Sequence, residues 1–472
     1  MPAADNPGNR SEGSVSRPTG EIPERLLGAW LVVAMLVAAL ACYRMATQSI
    51  VLGSPEGRWV YPYLQPLSVR IVLTAVSAAA ASCVLLFSDR ITGRYTWRTV
   101  CVWVLLAVAL QAVLRSLTPY TFEKIFVSDG ANSFFSVTQR YFAYTALADF
   151  DRVRQYWPLH AQSNMPGKLL VIYALRHISR RPEVLAWLVV VISNLGALLM
   201  YAFVKNLFGD RRVAVYSSIL YLFVPAKLFF FPLMNSITPV AVLACAYLAL
   251  RWVSSWSWVY AALVGIAAYG LLLYEPLSLA IGALLAALMA RSLWQGHIAL
   301  SKVLAQILTI GAAFLVTHAA MYRWFGFDII RVFQQLAADA MNFNAQAQRP
   351  YSIWVWENLR EFLFGVGVAQ VAVFPAAVMA GLWRAGSWKE RLTEPITVVS
   401  AGVLTVLLAI DLIGVNRGEV IRLWIFLACF FQIPAAYVCA RLEGRAALAL
   451  VLVLTILQCA FGTAMIGFIV PG

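Results

Sequence analysis

The chain has 472 residues, 61% of them apolar and only 12% charged, with a formal net charge of +14. Soluble domains hold roughly 45–50% apolar and about 25% charged residues, so an ordinary soluble fold is excluded. Long continuous apolar runs exclude a transmembrane barrel, whose short strands alternate. The basic residues are scattered between these runs rather than striped on one surface, which argues against nucleic acid and for loop topology or anionic headgroups.

Residues 1–26 are polar and rich in Pro, Gly and Ser, as expected of a disordered cytoplasmic tail. No small-residue cleavage site follows the first apolar run, so that run reads as a retained anchor. A spanning helix needs about 20 mostly apolar residues. Such runs recur at 27–44, 70–88, 99–117, 184–204, 213–226, 236–252, 257–274, 276–293, 303–322, 361–383, 395–414, 419–440 and 446–468. The expected fold is therefore all-α and polytopic, with about 13 transmembrane helices. The run at 213–226 is short and reads as tilted or partly re-entrant.

Orientation follows from the short loops. The connectors 89–98, 205–212, 253–256, 294–302, 384–394 and 441–445 are compact and mostly basic, carrying Arg94, Arg98, Arg211, Arg384 and Arg441 among others. They belong in the cytoplasm with the N-terminus. Two long loops, 118–183 and 323–360, then face outward. In the first, 134–150 has helical spacing with aromatic anchors (Phe134, Phe135, Tyr141, Phe142, Tyr144), suited to the membrane interface. A second interfacial helix is expected over 164–176, with Pro166 in its first turn. The 323–360 loop sets Trp324, Phe327, Ile330 and Phe333 against Asp328, Arg331 and Asp339. No internal repeat points to a two-fold transporter.

Candidate chemistry concentrates in the first long loop, because loops hold polar groups that a bilayer core excludes. Asp129, in Ser128-Asp129-Gly130, stands beyond a span. A carboxylate partly desolvated there gains proton affinity and can act as a general base, although Ser-Asp-Gly is also a turn and helix-start sequence. His160 and Lys168, flanking Asn164-Met165-Pro166-Gly167, can contact phosphate or sugar, or else Pro and Gly merely shape a helix entry. Arg417 and Arg422 bracket Gly418-Glu419 at the mouth of the twelfth run. Either can fork onto a phosphate, snorkel, or pair with Glu419. Glu275, in Tyr274-Glu275-Pro276, lies between two apolar runs and is either an intramembrane functional acid or an interfacial one. The seven cysteines form no Cys-x-x-Cys pattern and read as small buried hydrophobes. With four histidines (His160, His177, His297, His318) and no Cys/His cluster, no metal ligands are assigned.

The order of these features resembles the C-type (GT-C) membrane glycosyltransferases that use polyprenyl-phosphate sugars. The resemblance rests on an acid early in a large outer loop, amphipathic helices, and a Pro-containing turn into Leu169-Leu170-x-x-Tyr173. It continues with a span ending in Lys205-Asn206-Leu207-Phe208-Gly209-Asp210-Arg211-Arg212, a short span closed by Val224-Pro225, and Arg422 before a span containing Pro434. Asp129 matches the family's acid but has no acidic neighbour. Asn164-Met165-Pro166-Gly167 stands where His-Pro-Pro-Leu is usual, with only Pro166 retained, and Asn235 stands where many members carry an acid. The resemblance divides the chain into the tail, two additional N-terminal spans over 27–98, a catalytic module over 99–293, and C-terminal spans over 294–472.

This resemblance implies an enzyme of the cell (plasma) membrane with an extracytoplasmic active site. It would transfer a sugar, with inversion, from a polyprenyl-phosphate donor to the hydroxyl of a glycan, lipid or protein acceptor. Asp129 would be the catalytic base. Arg417, Arg422, Lys168 and His160 would hold the donor phosphate, and Asn164, Glu275 and Tyr274 would position the acceptor or the loop. No cofactor is required outright, and a divalent cation, Mg2+ or Mn2+, stays open. Membrane lipids are partners, nucleic acid is not, and the oligomeric state is open. The competing readings are a transporter or flippase for a lipid-linked or anionic substrate, and a catalytically altered assembly subunit.

Overall fold

The computed structural model describes residues 22–64, 71–92, 95–296, 299–383, 386–442 and 444–471. Residues 1–21 of the expected tail, Arg94, His297 and Arg384 lie outside the described residues. The described chain is helical apart from one small antiparallel hairpin, Gly53–Ser54 with Trp59–Val60. Among the described residues nine helices are long and apolar enough to cross a membrane, or ten with one bent pair, and the protein is an all-α polytopic membrane protein. Three shorter apolar helices, Leu73–Phe87, Trp258–Tyr274 and Ile425–Arg441, accompany them.

Burial separates centre from rim. The Arg211–Phe229 segment is 94% buried inside the protein, whereas Leu300–Phe325 is 11% buried and packs chiefly on Trp258–Tyr274. A helix apolar all round belongs at a centre, and Pro182–Phe208, Gln432–Arg441 and Trp97–Arg115 surround this one. Asp210 starts it, its carboxylate accepting from the backbone N–H groups of Arg212 (2.7 Å) and Val213 (3.2 Å). It ends at Leu222, because Pro225 has no N–H to continue the ladder. The first helix, Glu24–Ala46, packs on Val368–Trp383 and Ala446–Met465.

Several expected elements are corrected. The single run at 361–383 is two helices, Tyr351–Val366 and Val368–Trp383, at 97° to each other. Gly367 makes the elbow with φ +115°, a conformation that side chains with a Cβ rarely adopt. Such a break strands backbone groups that lipid cannot satisfy. Here Gln458 donates to Phe364 O (2.8 Å) and accepts from Val368 N (2.9 Å), while Gln432 donates to Val366 O (3.0 Å). The run at 419–440 likewise begins with a separate short helix, Val420–Leu423, and the apolar segment Ile425–Arg441 after it is itself interrupted between Ala428 and Gln432.

In the 118–183 loop, 134–150 is three short helices rather than one: Phe134–Arg140, Ala143–Ala148 and Phe150–Val153. Tyr141 is extended, and its carbonyl is taken by the Tyr173 hydroxyl at 2.6 Å, so tertiary contact overrides helical spacing. The helix expected over 164–176 begins at Gly167, with Pro166 as its N-cap residue instead of in its first turn. The 323–360 segment is not a loop throughout. It holds the end of Leu300–Phe325, the amphipathic helix Ile329–Gln346, and the start of the elbow helix.

Candidate functional site

The sequence around Asp129 folds into a tight turn after the short helix Phe122–Val127, whose N-cap Thr121 accepts from Lys124 N at 3.2 Å. Ser128 Oγ accepts from Ala131 N (3.2 Å), Asn132 Nδ2 donates to Phe126 O (3.0 Å), and Ser133 Oγ donates to Asp129 O (2.6 Å). With its backbone tied down on the inner side, the turn presents the Asp129 side chain outward. That carboxylate is exposed and accepts a hydrogen bond from Ser136. The partial desolvation expected for it is therefore not met in the protein alone, because its neighbours in the turn bury their own polar groups and leave it at the tip.

The next carbonyl, Gly130 O, lies 2.9 Å from His160 Nε2. His160 sits on the Leu159–Gln162 turn, whose exit is tied by Asn164 Nδ2 donating to His160 O at 2.8 Å. Arg422 Nη1 approaches the same imidazole nitrogen at 3.4 Å. The shorter contact favours the tautomer with the proton on Nε2, donated to Gly130 O. Burial, and after it the positive charge of Arg422, push the His160 pKa down to about 4, so the ring is neutral at physiological pH.

Arg422 is held by Glu419. Its Nη2 donates to Glu419 Oε2 at 2.6 Å, while Arg349 Nη2 stands 3.5 Å from Glu419 Oε1. Burial alone would raise the Glu419 pKa, but Arg422 and Arg349 outweigh it and hold the carboxyl below its ordinary value. The short helix carrying Arg422 starts against Glu361, whose Oε2 accepts from Val420 N at 3.2 Å. Tyr61, from the N-terminal hairpin segment, is buried beside these charges, and burial, followed by the nearby Glu361 and Glu419, raises its hydroxyl pKa well above normal.

Beneath lies a second knot. Lys168, almost fully buried, donates to Glu275 Oε2 and to Asn164 Oδ1, both at 2.6 Å. The Tyr274 hydroxyl donates to Met234 O at 2.5 Å. Helix Gly167–Arg176 can approach so closely only because residue 167 has no side chain. A Cβ there would lie 2.5 Å from Leu273 O and 2.7 Å from Tyr274 Cα.

The fold thus gathers the Asp129 turn, His160, Asn164, Lys168, Glu275, Tyr274 and Arg422 into one continuous network. Arg417 is placed differently. Its Nη1 donates to Arg349 O (2.8 Å) and its Nε to Gly414 O (3.2 Å), while Arg349 Nη1 returns a bond to Arg417 O (2.6 Å). Its guanidinium staples two loops and is largely committed to backbone. Lys168 is equally committed, to Glu275. Sequence reading missed Arg349, Glu361 and Tyr61. Arg349 stands in Gln348-Arg349-Pro350 with nothing to mark it, and Tyr61 lies in a loop with no motif. Glu361 had one available signal, an acid inside an apolar run. Among the described residues no three His, Cys, Asp or Glu side chains group as a metal site. The chain matches none of the protein-family models, and no curated protein is similar to it.

Proposed function

We propose that the protein is a membrane glycosyltransferase that moves a sugar, with inversion, from a polyprenyl-phosphate donor to an acceptor hydroxyl on a glycan, lipid or protein. The carrying observation is that the Asp129 turn and Arg422 both come up against His160. Gly130 O meets His160, and His160 meets Arg422, although the turn and the arginine lie far apart in the chain. The exposed Asp129 carboxylate is one residue from Gly130, and the partly exposed Arg422 guanidinium lies on the other side of His160. The nucleophile of such a reaction is a weak neutral hydroxyl, which needs a base, and Asp129 is open to receive its proton. The leaving group is a lipid phosphate on which charge develops, and Arg422, backed by Arg349, answers that charge. Neutral His160 adds no cation, and with its Nε2 proton given to Gly130 O it lies beside Arg422 without accepting from it, so Glu419 is what fixes the arginine.

Nine long apolar helices among the described residues, or ten with the bent pair, support a polytopic arrangement, and each coincides with an apolar run of the sequence. In this reading the N-terminus is cytoplasmic and the Asp129 surface faces outward from the plasma membrane. The test uses purified protein in lipid with polyprenyl-phosphate sugars. Wild type transfers or hydrolyses the sugar, Asp129→Asn abolishes this with folding intact, and Arg422→Gln lowers the rate about 10²–10³-fold, as for loss of one charge-stabilising donor. Equal rates in wild type and Asp129→Asn would remove the proposal. A transporter reading draws on one observation, a lysine, Lys227, buried among the spans without a carboxylate partner among the described residues; intramembrane charges often mark transport paths. Substrate movement across the bilayer without bond cleavage would favour it.

A further inference from the structure

A groove separate from the Asp129 surface lies where the first helix, Glu24–Ala46, meets the elbow at Gly367. Its volume is about 510 Å3, within the roughly 300–1,000 Å3 of small-molecule sites. Its lining is mixed: Arg44, Ser49 and Arg360 are polar, and Ala41, Val368 and Val371 are apolar. Val33, Leu36, Val37 and Leu40 on the first helix are exposed, so in a bilayer the neighbourhood of the groove faces acyl chains.

Both guanidiniums are exposed and are oriented by the loop between them. Arg44 Nη2 donates to Ser49 O at 3.1 Å, and Arg360 Nη2 donates to Gly53 O at 2.6 Å and pairs with Glu357 at 2.5 Å. Each bond uses the Nη2 of its arginine. Nη1 and Nε of both guanidiniums have no protein partner among the described residues, and each arginine offers five N–H groups in a rigid fork suited to phosphate. Glu357 offsets one charge, and a net positive charge remains at the mouth.

The geometry points to a binding site for an anionic glycerophospholipid, its phosphate between Arg44 and Arg360 and one acyl chain along Val368 and Val371. A phosphate joined to an apolar chain matches a cationic rim beside an apolar wall, and a membrane supplies such molecules in excess. The site is distinct from the proposed donor surface. Arg360 and Glu361 are neighbours on one helix but face differently, Glu361 buried against Val420 N and Arg360 exposed beside Gly53 O. Neither the groove nor its occupant depends on the proposed sugar transfer.

The test is native mass spectrometry of the full chain, released from detergent after titration with phosphatidylglycerol or with phosphatidylcholine of the same chains. Wild type retains one phosphatidylglycerol in preference to phosphatidylcholine. Arg44→Gln and Arg360→Gln each reduce that preference roughly five-fold, the worth of one basic residue at a membrane surface, and the double variant abolishes it. Lysine at both positions keeps the preference, which separates lost charge from misfolding. Arg180→Gln with Arg181→Gln, two exposed arginines elsewhere, leaves it unchanged. An unchanged preference in the glutamine double variant overturns the proposal. So does displacement of the lipid by equimolar glycerol phosphate, which would make the rim a site for free anions.

Discussion

Two nearly inaccessible lysines stand in contrasting surroundings. Lys168, in the candidate site, bonds Glu275 and Asn164. Lys227, in the central segment, has Asn194 Oδ1 at 3.3 Å and the Tyr221 ring centroid at 4.0 Å, with no carboxylate among the described residues. Asn194 in turn bonds Gln111, and Gln111 bonds Leu222 O at 2.9 Å. The candidate site settles charge with opposite charge. The centre surrounds one amine with neutral dipoles and an aromatic face. Taking away a partner should therefore be costly in the first region and mild in the second.

Glu275→Ala gives the largest effect. It leaves the Lys168 ammonium buried and unpaired, costing about 3–5 kcal/mol, read as a lowered midpoint in detergent unfolding. Joint replacement by Lys168→Met and Glu275→Leu restores most of that loss. If the double variant is as weak as Glu275→Ala, the pair is not the source. Gly167→Ala comes next, at about 1–3 kcal/mol for overpacking, since its Cβ would push against Leu273 O. Gly167→Ala and Glu275→Ala should combine less than additively, because both act on the same contact.

Lys227→Met sharpens the contrast from the other side. The stem volume is kept and no counter-charge is orphaned, so the change stays under about 1.5 kcal/mol. A loss as large as that of Glu275→Ala would mean that the centre, too, relies on a charge. A separate test is in acid. His160 has a folded pKa of about 4 against an ordinary value near 6.5. Above pH 6.5 both folded and unfolded forms are neutral and the fold keeps its full stability. As pH falls from 6.5 towards 4 the unfolded chain takes the proton first, so stability declines. Titrated unfolding of His160→Gln should show a flatter limb over that window.

The spans were legible because lipid imposes a simple rule, long apolar runs, and most of the chain obeys it, the short central run least. What the rule does not contain is interruption. The elbow at Gly367 lies inside an apolar run, and the glutamines that satisfy its broken ends, Gln432 and Gln458, come from far along the chain. The candidate site was legible to the extent that polar residues in a membrane protein are few. Asp129, His160, Lys168, Glu275 and Arg422 stood out on scarcity alone. Their pairing did not, and it redistributed their roles. Lys168 and Arg417, expected to meet phosphate, are occupied by Glu275 and by backbone carbonyls, while the unmarked Arg349 reaches Glu419.

Composition and hydropathy dictated that this chain be a bundle of membrane helices, because burying apolar residues in lipid needs no partner and is decided residue by residue. Which charges face one another was settled only when helices packed. Ion pairing acts across a few ångströms between residues hundreds of positions apart, and no local pattern records which carboxylate a given lysine or arginine will meet.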